Sequence, residues 1–193
     1  MEQASLVNAF NNCFRESENT VLVGGADEPW YLPASENRDQ GVAVLYCRSD
    51  YAASALHEIA HWCLAGQARR RLADFGFTYL EPPRSHKEQI AFFNAELRTQ
   101  SLERVFSRSA KLAFRVSADN FDSAQAALVE RFAHQVFAYA SVTHQWMAAP
   151  AGARARQFNE KLMRMADEAV GPGKRPVECV DKATIDRAEQ AFG

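Results

Sequence analysis

Five consecutive residues, His57-Glu58-Ile59-Ala60-His61, place two imidazoles four positions apart with a carboxylate beside the first. On an α-helix, positions i and i+4 lie one turn apart on the same face, so both rings can reach a single metal ion. Glu58 falls at the edge of that face, where a carboxylate can orient or deprotonate a metal-bound water. The chain has only five histidines, and two of them share this register between apolar flanks. Metal binding accounts for that pattern better than surface or core histidines do. The long zinc-protease form of the motif requires glycine at 64 and histidine at 67. Those positions hold Leu64 and Gln67, which excludes that subclass.

A site with two histidines needs a third ligand. By residue type, Asp74, Glu81, Glu88, Glu96, Glu103, His86, His134 and His144 are all candidates. Glu96 is favoured by its neighbours Phe93 and Leu97, which are expected to face the core. A carboxylate beside buried positions needs a partner, and a metal ion is a sufficient one. Gln100, one turn further on, is expected to support it from behind. Cys63, two residues past His61, points away from the metal face and reads as core, while Trp30 and Trp62 read as core or pocket walls.

The elements that must position these groups follow from hydropathy patterns. Val42–Cys47 is a continuous apolar run of strand length, followed by Ser49 and Asp50 as helix caps and by a helical pattern over Tyr51–Ala65 with Gly66 as C-cap. Leu6, Val7, Phe10, Cys13 and Phe14 give a first helix its apolar stripe, and Thr20–Gly25 reads as a β-rich segment closed by glycines. Residues 74–80, DFGFTYL, suggest a further short strand. Ser85 and Glu88 form a capping box for a helix reaching Ala110, with Ile90, Phe93, Leu97, Leu102 and Phe106 as its buried positions. A long helix is expected over Asp122–Met147, a basic amphipathic one over 154–170, and a weak one over 181–192. The expected fold is α+β. A single domain spans residues 1–193, with a small sheet packed beside the HExxH metal-binding helix, a mostly helical second half, and 150–193 as a helical tail without an assigned role.

Composition bounds the function. The 193 residues carry 22 Lys and Arg against 24 Asp and Glu, a net charge of −2. There is no overall basic field of the kind nucleic-acid binders use. No apolar run approaches the roughly 20 residues that span a bilayer, and MEQASLVNAF lacks the positive start of a secretory signal. The expectation is a cytoplasmic protein that engages neither nucleic acid nor membrane. Its cysteines, Cys13, Cys47, Cys63 and Cys179, show no CxxC spacing and are expected as free thiols. The two histidines make one divalent metal ion the expected cofactor, and no nucleotide-binding glycine motif or flavin signature is present to name an electron source.

Beyond the motif, three stretches resemble the bacterial elongation factor P hydroxylase family: FNNCF with NTVLVGGADEPWYLPA, then YAASALHEIAHWCLAGQARRRLADFG, and later AELRTQSLERVF with FRVSADN. The resemblance covers about residues 5–145. It implies a cytoplasmic enzyme that hydroxylates the lysine of elongation factor P after β-lysine has been attached to it. It also implies that His57, His61 and Glu96 hold the metal. Beside such a site Glu58 is expected to relay protons or to hold the substrate's ammonium group. Two histidines and one carboxylate leave open positions for oxygen and substrate, which suits non-haem iron; the same ligands suit zinc. Asp27 and Glu28, before Pro29, are the expected contacts for a cationic substrate arm, although turn chemistry also explains them. Arg69–Arg71 suit either an acidic partner surface or the helix dipole. The alternatives are a zinc metallopeptidase with Glu58 as general base, and a non-catalytic, metal-stabilised binding module.

Overall fold

The computed structural model describes residues 1–37, 40–48, 51–78, 80–119 and 125–170. Three strands, β1 (Thr20–Ala26), β2 (Trp30–Leu32) and β3 (Ala43–Arg48), form a sheet in the order β1-β3-β2. The apolar run ends up in the middle because a central strand has neighbours on both edges and must satisfy them with little exposed polar surface. β3 pairs parallel to β1, with Val44 opposite Val21, and antiparallel to β2, with Leu45 opposite Tyr31. A register shift between Val23 and Ala26 coincides with Gly25, whose φ of +91° is costly for any side chain.

Helices α1 (Gln3–Phe14) and α2 (Ala52–Leu64) carry the apolar stripes that cover the sheet. Leu6, Phe10 and Phe14, one turn apart on α1, meet Leu22, Leu45, Leu56, Ile59 and Trp62 in the main core. Phe10 and Phe14 pack against the Trp62 ring with centroids 4.9 and 4.7 Å away. α3 (His86–Ser109) runs along α2 and adds Leu102 and Phe106 to the same core. The second half of the chain continues with α4 (Ala126–Ala138), α5 (Ala140–Ala148) and α6 (Ala153–Val170). α6 belongs to the core, for Phe158 and Leu162 are fully buried in it. A smaller cluster forms where Phe93 of α3 stacks on Phe132 of α4, centroids 4.1 Å apart. The architecture is therefore α+β and a single domain: a three-stranded sheet beside the helix that bears the two histidines, then a helical remainder.

Several local expectations are corrected. DFGFTYL forms no strand in its described part: Asp74 and Phe75 adopt φ of +47° and +57° in a short 3₁₀ turn. That turn is held because the Asp74 carboxylate accepts the Tyr31 N–H at 2.7 Å and Phe75 stacks on the Tyr31 ring. Two tertiary contacts outweigh the weak β-preference of the segment. The long fourth helix is interrupted at Tyr139, where ψ is −3°. Ile90 is exposed instead of buried. α2 ends at Leu64 with Ala65, not Gly66, as its C-cap, while the proposed caps Ser49 and Asp50 lie outside the described residues. So do Asn120 to Ala124, Cys179 and the expected helix over 181–192. The capping box of Ser85 and Glu88 is present as expected, and Cys13, Cys47 and Cys63 are free thiols.

Candidate metal centre

α2 and α3 lie side by side, and the site forms where the open face of α2 meets a polar stripe on α3. Leu56, Ile59, Ala60, Trp62 and Cys63 bury the rest of α2 against sheet and helices, which leaves His57 and His61 directed at α3. On α3, Glu96, Gln100, Glu103 and Ser107 recur at spacings of four, three and four and are all buried. Polar groups thus occupy positions where the helix would otherwise place its apolar stripe.

The two Nε2 atoms of His57 and His61 are 3.1 Å apart. Glu96 closes the triangle, with its carboxylate oxygens 3.5 Å from His57 Nε2 and 3.3 Å from His61 Nε2. One ligand atom from each of the three residues falls within 4.8 Å of the others, the spacing of a group able to hold a metal ion. The donor chemistry fits a divalent cation: two imidazole nitrogens and a carboxylate that is only 2% exposed. Taking such a carboxylate out of water costs several kcal/mol unless a positive partner offsets it.

The other ring nitrogens are fixed from behind. His57 Nδ1 lies 2.9 Å from the Glu103 carboxylate, and His61 Nδ1 lies 3.4 Å from Thr99 Oγ1. Both contacts favour a proton on Nδ1 and leave Nε2 free to bind metal. Residue-type reasoning offered Glu103 as a possible third ligand and did not consider Thr99. The structure gives Glu103 the supporting role expected of Gln100. Gln100 instead exchanges two hydrogen bonds with the Ser117 backbone and so fixes a loop. The missed signal was spacing: Thr99 and Glu103 sit three and seven residues after Glu96, on the same helical stripe.

Burial opposes charge on His57, but the Glu103 hydrogen bond, with Glu103, Glu96 and Glu58 as nearby negative charges, outweighs it and lifts the metal-free pKa to about 10. For Glu58, burial pushes the carboxyl pKa up, and the carboxylates of Glu96 and Asp74 add to that push against the opposing effect of both histidines.

The site opens into a cavity of about 540 Å³. Its walls include Glu28, Trp30, Glu58, Asp74, Phe77, Glu81, Arg84 and Asp119 besides the three candidate ligands. Glu28 therefore borders the cavity, whereas the neighbouring Asp27 is exposed and not part of its lining. Asp119 pairs with the buried Arg84, whose guanidinium donates to the Asp119 carboxylate and carbonyl at 2.7 Å each and to the Leu80 carbonyl at 2.5 Å. Arg69 and Arg70 are used within the fold. Arg69 lies over the Phe77 ring at 4.3 Å, and Arg70 pairs with Glu18 at 2.7 Å. Of the remaining candidates for a third ligand, Glu88 serves the α3 cap, His86 begins that helix, His134 lies on α4, and His144 borders a separate cavity.

Fold and site together define a class, an α+β domain whose central helix offers two imidazoles and whose neighbouring helix offers a carboxylate to one metal ion. A family model described as elongation factor P hydroxylase matches residues 9–171, and the chain belongs to that family. An elongation factor P lysine hydroxylase from Haemophilus influenzae is 44% identical over 117 residues. That match covers 61% of this chain and 65% of the relative's length.

Proposed function

We propose that this protein hydroxylates the lysine of elongation factor P that carries a β-lysyl extension, using one iron ion held by His57, His61 and Glu96. The observation that carries the reading is the convergence of those three side chains within 4.8 Å at the base of a cavity, in a chain of this family. Bound iron would supply the activation of dioxygen that insertion of a hydroxyl group requires.

The protein's own residues do the rest. His57 and His61 present Nε2 atoms to the ion because Glu103 and Thr99 hold their Nδ1 atoms, and Glu96 contributes the negative charge. All three ligands come from two packed helices on one side, so the cavity side is left to oxygen and the substrate. The substrate arm is cationic, and Glu28 at the wall supplies a carboxylate for it. Glu58, inside the cavity with its carboxyl pKa raised, holds the ammonium group of the arm or moves a proton at its Oε atoms. The rings of Phe77 and Phe92 line the passage and exclude water from the alkyl stem. Among the described residues no helix is long and apolar enough to cross a membrane.

The experiment is reconstitution. Purified protein with ferrous iron, oxygen and a reductant is incubated with β-lysylated elongation factor P, and the product is read by intact mass. A gain of one oxygen atom per molecule supports the reading. An unchanged mass on a verified substrate overturns it.

A further inference from the structure

A second cavity, of about 300 Å³, opens between the C-terminal half of α3, α5 and α6. None of its lining residues borders the metal cavity. Its walls carry Arg104, Arg108, Lys111 and His144, the amide of Asn159, and a single carboxylate, Asp167, among the described residues.

The bases are a local excess. Between positions 98 and 115 the chain holds Arg98, Arg104, Arg108, Lys111 and Arg115 against one acid, Glu103, whose carboxylate is committed to His57 at the metal centre. Attraction to the negative end of α3 accounts for a base in the last turn, where Arg108 stands, but not for Arg104 a turn earlier. Among the described residues, the side chains of Arg104, Arg108 and Lys111 form no ion pair and donate no hydrogen bond, although Asp167 lines the same cavity.

Arg104 is the telling case. Arg70, Arg84 and Arg154, which are also buried or half-buried, each donate to a carboxylate or a carbonyl. Arg104 is half-buried without such a partner, and its guanidinium lies over the Phe137 ring, 4.3 Å from the centroid. The ring fixes the guanidinium and leaves its N–H donors unused. Burial and the Arg108 charge one turn on both push the Arg104 pKa down. Like charges at i and i+4 repel each other, and an anion shared between them converts that repulsion into attraction. Asn159 adds a further donor: its Oδ1 accepts from Ser109 Oγ at 2.7 Å, while its Nδ2 meets only the weak acceptor Met163 Sδ at 3.7 Å among the described residues.

Donors therefore outnumber acceptors around a concave space. A doubly charged tetrahedral oxyanion suits that set, since guanidinium groups grip phosphate through paired N–H···O bonds and a lysine adds a point charge. A monocarboxylate would leave most of the donors unused. The volume is that of a small-molecule site. We infer that the cavity between α3, α5 and α6 binds a phosphate group, free or carried on a small molecule, held by Arg104 and Arg108 with Lys111 and Asn159 in support. This site is additional to the proposed hydroxylation and does not depend on it.

The test is titration calorimetry on the metal-loaded protein at constant ionic strength, with inorganic phosphate, adenosine 5′-monophosphate and acetate as probes. Phosphate is expected to bind saturably at one site per chain, and acetate about tenfold or more weakly. R104Q/R108Q is expected to weaken phosphate binding about tenfold or more, with metal content and circular dichroism retained. Lys111→Gln, an exposed position, is expected to act in the same direction, and Asp167→Asn is expected to tighten binding about two- to fivefold by removing a repelling charge. Arg164→Gln, exposed on α6 outside the cavity, is expected to leave the affinity unchanged. Tighter binding of the nucleotide than of phosphate supports a phosphorylated small molecule as the natural ligand, and binding no tighter supports free phosphate. Absence of saturable phosphate binding overturns the site. So does an affinity unchanged in both R104Q/R108Q and Lys111→Gln, which assigns the anion to the bound metal. A short single-stranded RNA that binds more tightly than either probe, with a steep salt dependence through the same arginines, also overturns the small-ligand site in favour of an RNA surface.

Discussion

At the scale of single residues, the groups proposed to hold the ion are distinct from the groups that orient the holders. Removing a ligand, as in His61→Ala or Glu96→Ala, is expected to abolish stoichiometric metal uptake, measured by elemental analysis after dialysis. Glu103→Gln keeps a hydrogen-bonding group near His57 but removes the charge. Metal affinity is expected to fall about 10- to 100-fold, because supporting partners usually carry that weight. Glu58→Gln is expected to bind metal normally and lose about 10²- to 10⁴-fold in kcat, the range of a positioned acid or base. The pH dependence follows from His57. Its metal-free pKa stands at about 10, above the ordinary 6.5. The proton stabilises the folded metal-free protein fully below pH 6.5, and that contribution is lost as pH rises through 10. A metal ion must displace this proton, so metal affinity is expected to rise with pH over the same window. Thermal melts and metal titrations from pH 6.5 to 10 check both slopes, and His57→Gln is expected to remove the first.

At the scale of elements, the site depends on α2 and α3 keeping their register and on the loops that α3 ties down. Ser85→Ala removes the cap of α3 and is expected to cost about 1 kcal/mol of stability in a denaturant titration. Arg84→Ala cuts three hydrogen bonds to the segments around Leu80 and Asp119. With Asp119 half exposed, solvent takes over part of the loss. About 1–3 kcal/mol is expected, accompanied by a higher KM as the cavity wall loosens. The same elements show what could be read from the sequence. β3 and α2 were legible because a continuous apolar run and a clean 3.6-residue period are strong local signals, and α3 announced itself by its capping box. The placement of His57 beside His61 followed from helical geometry alone. The DFGFTYL turn was not legible, since its left-handed residues are held by Asp74 capping the Tyr31 N–H from 43 positions away. The roles of Thr99, Gln100 and Glu103 were likewise tertiary: their spacing places them on one stripe, but only the packing of α3 against α2 decides which one meets an imidazole. The break at Tyr139 has no marker such as proline or glycine nearby.

At the scale of the whole molecule, the metal helix is held by both ends of the described chain. α1 and α6 meet over Trp62, with Phe158 6.2 Å from Phe10 and 5.3 Å from Phe106, and the Arg154 guanidinium sits 4.5 Å above the indole. The segment from 150 onward is therefore an integral layer as far as Val170, not an appended tail. Phe158→Ala is expected to cost about 3–5 kcal/mol, and the resulting drop in thermal midpoint should carry metal affinity down with it. The central claim remains that three side chains on two helices hold one catalytic metal ion acting on elongation factor P. The most direct test is intact-mass analysis of β-lysylated elongation factor P after incubation with iron, oxygen, a reductant and either wild-type protein or the folded His57→Ala variant. The account predicts a gain of one oxygen atom with the wild type and none with the variant. Equal hydroxylation by both proteins, or cleavage of the substrate in place of a mass gain, would contradict it.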